Sequence, residues 1–92
     1  MLQLTELLAG LAEESCELGQ AALKLRRAFD GTNPTPVTVD DAIIRFEEEI
    51  ADVELYLDQI TYSRSHVNEI KAIKMARWEA RLAGVKSREG TR

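Results

Sequence analysis

Two stretches of this chain repeat apolar side chains every three to four positions, and that rhythm fixes the class of fold open to it. Leu4, Leu7, Leu11, Leu18, Ala22, Leu25 and Phe29 mark the first stretch; Ile43, Phe46, Ile50, Val53, Leu57 and Ile60 mark the second. On a helix of 3.6 residues per turn this spacing gathers into one stripe, whereas a half-buried strand would alternate every second residue. The pattern predicts helices over about 4–28 and 39–61, and a third over about 66–83. Asp30-Gly31 ends the first, because glycine tolerates the left-handed conformation usual just past a helix end. Residues 31–38 form a loop, in which Pro34 and Pro36 push their predecessors away from helical angles. Thr38 or Asp40 can cap the second helix. Gly84 is taken as the end of the third, leaving 86–92 as a frayed tail. No strand-type alternation appears, so the expected fold is all-α, one domain over 1–85.

A chain of 92 residues buries only about 60–65% of the surface its unfolded form exposes, so its core needs a supplement. A disulfide cannot provide it: Cys16 is the sole cysteine, which also points to a reducing compartment. The expectation is a helical bundle completed by association, as a homodimer or homotetramer. The first twenty residues lack the basic segment of a signal peptide, and no apolar run reaches membrane-spanning length. The chain is therefore expected to be soluble and cytoplasmic, with no membrane partner.

The net charge of −4 hides a division. Residues 1–63 carry 13 acids against 4 bases, or −9, and residues 64–92 carry 3 acids against 8 bases, or +5. Such asymmetry fits a metal on the acidic part and a phosphate on the basic part; two faces that attract each other explain it equally well. The overall acidity argues against a nucleic-acid partner.

Charged residues on a solvated helix avoid the apolar stripe, yet several here do not. At roughly 100° per residue, Glu14 projects about 40–60° from the centre of the first stripe, and Glu17 follows one turn on. Glu49 lies beside the second stripe, with Asp52 three residues later. Acids at i and i+3 are neighbours on a helix surface, so each pair forms a claw. If the helices pack antiparallel, the two claws meet, and four carboxylates so crowded cannot all remain ionised without a cation. Hard oxygen ligands favour Mg²⁺ or Mn²⁺ over zinc.

Glu13-Glu14-Ser15-Cys16-Glu17 reads E-E-x-x-E, and Glu49-Ile50-Ala51-Asp52 reads E-x-x-D. This ordered pair resembles the motif of the MazG-type, all-α nucleoside triphosphate pyrophosphohydrolases. Leu11-Ala12 before the first motif and Val53-Glu54-Leu55-Tyr56-Leu57 after the second extend the likeness over about Leu4 to Ile60. The third helix, with Ile70-Lys71-Ala72-Ile73-Lys74 and Arg77, is similar to the basic closing helix of short phage-type members. The resemblance implies that Glu14, Glu17, Glu49 and Asp52 are metal ligands, that Mg²⁺ (or Mn²⁺) is the cofactor, and that Glu13 and Glu48 support them. Glu13 is then the candidate to orient or deprotonate the attacking water. The implied reaction cleaves a nucleoside triphosphate between its α and β phosphates, giving a monophosphate and pyrophosphate. Which base and sugar are preferred stays open.

On the third helix Lys71, Lys74 and Arg77 suit a triphosphate tail, and exposed charges or salt bridges suit them as well. Asn68 is a candidate for a phosphate or base edge. Tyr56 and Trp78 are candidates to stack on a nucleobase, although a lone Trp is more often core or subunit interface. His66 reads as a helix-start residue and Cys16 as packing. The competing reading is a non-catalytic helical module that uses its stripes for oligomerisation or for a partner.

Overall fold

A computed structural model describes residues 2–90, and for 86–90 the backbone alone. It is helical, with no strand among the described residues: α1 spans Leu4–Asp30, α2 Val39–Gln59 and α3 Arg64–Gly90. The chain divides between Thr61 and Tyr62 into two compact units. The first is the α1–α2 hairpin; the second contains α3.

Local chemistry sets both ends of α1 and the start of α2 close to where the sequence puts them. The Glu6 carboxylate accepts the Gln3 backbone N–H (3.2 Å) at the start of α1. Gly31 closes that helix in the left-handed region (φ 74°), its N–H donating to the Arg27 carbonyl. Asn33 then ties the loop down, its Nδ2 donating to the Lys24 carbonyl (3.1 Å) and its Oδ1 accepting from Arg27 Nε (3.2 Å). Thr38, rather than Asp40, caps α2 by accepting the Asp41 N–H at 3.1 Å. Asp40 and Asp41 occupy the first turn, where the helix dipole favours negative charge.

The eight-residue loop returns α2 antiparallel along α1, and the two helices meet along a heptad seam. On α1 the seam runs Leu7, Leu11, Glu14, Leu18, Ala21, Leu25, Ala28; on α2 it runs Ala42, Phe46, Glu49, Val53, Tyr56 and the capping Ile60. Each of these residues is buried or half-buried. Steps of three and four along both helices are those of a coiled-coil core. Small residues set the close approach: Ala21 and Ala42 are buried on facing helices. Gly10 takes the Tyr56 ring against its bare Cα, where a Cβ would stand 2.3 Å from the ring carbon Cε1.

This seam is not centred on the apolar stripes. It turns each stripe by roughly 40–50° away from the partner helix, at about 100° per residue. Glu14 and Glu49 thereby take core positions, while Leu4 (58% exposed) and Phe29 (67%) of the expected stripe stay at the surface. The buried apolar residues among those described are Leu7, Ala21 and Ala42.

Three helix ends differ from the sequence expectation. α2 stops at Gln59, with Ile60 already extended (ψ 132°). α3 begins at Arg64, helped by Ser63 Oγ accepting the His66 N–H at 3.2 Å. It then runs through Gly84 to Gly90. An interior glycine costs a helix only about 1 kcal/mol relative to alanine, and the strong helix formers Ala80, Arg81, Leu82 and Ala83 precede it. Thr91 and Arg92 of the expected tail lie outside the described residues.

Gly10→Ala tests the seam directly. Its Cβ must displace the Tyr56 ring, so urea unfolding should show a loss of about 1–3 kcal/mol. Adding Tyr56→Ala should make the pair markedly less than additive.

Candidate functional site

Glu14 and Glu49 hold facing positions in the seam, and Asp52 stands one turn beyond Glu49. The register that seats Ala21 against α2 also brings these acids together: one carboxylate oxygen from each of Glu14, Glu49 and Asp52 lies within 4.8 Å of the other two. Glu49 is 3% exposed; Glu14 and Asp52 are half-buried at the edge of the groove. Sequence spacing anticipates this convergence, and the antiparallel packing produces it.

The buried carboxylate is only half answered. Arg45, one turn earlier on α2, donates from Nη2 to Glu49 Oε1 at 2.8 Å. Glu49 Oε2 is buried and has no hydrogen-bond partner among the described residues. A buried, unpaired carboxylate oxygen is strongly unfavourable unless a proton or a cation meets it. The Arg45 side chain is 57% exposed and also reaches Glu48 at 3.5 Å, a contact that solvent screening makes weak. Arg45 was not among the residues singled out from sequence, although its spacing of four from Glu49 is an ion-pair spacing on a helix.

Glu14 holds its proton above the usual carboxylate range. Desolvation at the seam is the largest cause, followed by the negative charges of Asp52, Glu49, Glu17 and Glu13. Glu17 thus shares the field of the cluster, although it is exposed and does not belong to the trio that converges within 4.8 Å. Glu13 and Glu48 are exposed on the same edge of the hairpin. Tyr56 is half-buried one turn beyond Asp52, its ring against Gly10, where it walls the next layer of the seam.

Asn68, Lys71, Lys74, Arg77 and Trp78 belong to the second unit, on α3, and all are exposed. Lys71, Lys74, Met75 and Trp78 line one shallow surface groove there, and Arg77 and Arg81 join Lys74 and Trp78 on the next. Trp78 is 63% exposed, which leaves its ring free on that surface. Cys16 is also exposed, rather than packed.

All donors at the cluster are carboxylate oxygens, the set that suits a hard divalent cation. The orphaned Glu49 Oε2 is the observation that makes a cation fit: it supplies an electron pair that none of the described residues satisfies. Compared with known proteins, the chain matches no family model, no curated protein and no solved structure. No described helix is long and apolar enough to cross a membrane.

Two outcomes are expected of the metal-free protein. Glu49→Leu fills the core position with a side chain of similar size, so its urea midpoint should rise by about 1–3 kcal/mol equivalent. A folded Glu14 that binds its proton more tightly than the unfolded chain stabilises the fold below the unfolded value of 4.5, and this contribution fades as pH rises through the folded value. Thermal melts of wild type against Glu14→Gln across pH 4–8 should therefore show the wild type losing its relative advantage toward neutral pH.

Proposed function

We propose that the hairpin is the metal-binding half of a nucleoside triphosphate pyrophosphohydrolase that works as a homodimer or homotetramer. The observation that carries the reading is the buried, half-satisfied carboxylate at the centre of the seam. Helical modules that merely associate fill such positions with Leu, Val or Ala, whereas here Glu49 is buried with one oxygen unmet.

Glu14, Glu49 and Asp52 would hold a divalent ion, with Glu17 one turn beyond Glu14 able to join as a fourth carboxylate. Mg²⁺ bound there would neutralise phosphate oxygens and help to generate the nucleophile from water. The chain's own contribution is positional. Arg45 holds Glu49 by one oxygen, which fixes the rotamer and reserves the other oxygen for the site. Glu13, beside Glu14 on the exposed edge, orients the attacking water or takes its proton. Tyr56, packed on Gly10, holds the layer of the seam next to the carboxylates.

The substrate class and the bond cleaved come from the motif resemblance. E-E-x-x-E followed by E-x-x-D supports cleavage between the α and β phosphates: water adds at phosphorus, the bridging P–O bond breaks, and a nucleoside monophosphate and pyrophosphate leave.

Incubation with each common NTP and dNTP, with and without Mg²⁺ or Mn²⁺, and separation of the products tests this reading. Metal-dependent release of monophosphate with pyrophosphate is expected, and Glu49→Ala should abolish it while circular dichroism stays helical. Orthophosphate as the product would overturn the α–β assignment, and no turnover with any nucleotide would overturn the enzyme reading.

A further inference from the structure

The hairpin has two unlike faces. The carboxylates open on one. On the other, Leu4, Leu8 and Phe29 of α1 lie on the same side as Ile43, Ile50 and Leu57 of α2, because the seam leaves half of each apolar stripe outside. Leu4, Leu8 and Phe29 are 58%, 47% and 67% exposed, and Ile43, Ile50 and Leu57 are half-buried. At about 100° per residue, Asp40, Glu47, Glu54 and Asp58 border this face along the outer edge of α2; all four are exposed. The surface is thus apolar with an acidic rim.

Taken by itself, α3 presents the complementary pattern. Trp78, Leu82 and Val85 are 63%, 59% and 41% exposed. Lys71, Lys74 and Arg81 project from the same broad side of the helix, by the same angular count. α1 and α3 are both 27 residues long, roughly 40 Å each, so an α3 can cover the full length of a hairpin. The two surfaces match in length and in apolar character, and the charges of −9 and +5 set the sign of the match.

We propose that the apolar, acid-rimmed face of the hairpin seats α3 of a second copy of this chain, resting on the association named above but not on turnover. A two-fold pair exchanges both helices: each copy gives its α3 to the other's hairpin, making two equal interfaces. Two hairpins meeting on the same face would set acidic rim against acidic rim, which disfavours that pairing. The carboxylate groove stays open on the opposite side in such a dimer.

Charge reversal tests the partner as well as the surface. One variant carries Glu47→Lys and Glu54→Lys; another carries Lys74→Glu and Arg81→Glu. In the exchanged dimer each variant alone opposes like charges at both interfaces, whereas a mixture matches opposite charges at both. Sedimentation equilibrium of the full chain should give a wild-type dimer, at twice 10.3 kDa. Each variant alone should associate at least about tenfold more weakly, and the equimolar mixture should recover a mixed dimer. A monomeric wild type overturns the proposal, as does undiminished association of either variant, or failure of the mixture to recover. In unmodified protein, Trp78 emission should shift to the red as dilution dissociates the dimer; emission unchanged across dissociation also overturns it. Product release from nucleotides is not read in these experiments, so their failure leaves the hydrolase assignment to its own assay.

Discussion

A carboxylate cannot sit in a helical seam without consequence, and most of this molecule's character follows from Glu49 doing so. The heptad register that buries Ala21 and Ala42 also buries Glu49 and half-buries Glu14 opposite it. Arg45 answers one oxygen of Glu49 at 2.8 Å and leaves the other unmet. Desolvation and neighbouring acids hold the Glu14 proton above its ordinary range. The seam therefore trades apolar contact for a cluster of carboxylates, and by itself the hairpin carries an unfavourable charge cluster where a coiled coil would place leucine.

The same rotation explains the hairpin's other face. Turning Glu14 and Glu49 inward turns Leu4, Leu8 and Phe29 outward, leaving a core of few buried apolar residues. A fold of this size gains its stability by covering such surface. The carboxylate cluster and the exposed apolar face are thus two results of one register: one side of the hairpin holds the acids, and the other remains apolar.

Much of this was legible in the residues. The 3.6-residue rhythm located α1 and α2, Gly31 and Thr38 marked their ends, and the off-stripe position of Glu14 and Glu49 pointed to a shared site. Other features lie beyond a stripe average. The stripe counts every apolar side chain alike, but the register is set by the small residues Gly10, Ala21 and Ala42, which let the helices approach and seat the Tyr56 ring. That choice exposed Leu4 and Phe29 against expectation. Gly84 misled because a glycine ends a helix only where the chain turns to the left-handed region, as at Gly31, and an interior glycine among good helix formers is tolerated. Arg45 was visible at ion-pair spacing from Glu49, yet its role depends on Glu49 being buried, which spacing does not report.

Binding of Mn²⁺ followed by electron paramagnetic resonance tests the central claim without reference to catalysis. The sharp signal of the free ion should fall as protein is added, and should return to its protein-free intensity when the protein carries Glu49→Gln. A free-ion signal unchanged by wild-type protein at millimolar concentration, or lowered equally by the Glu49→Gln variant, would contradict a cation site at the seam.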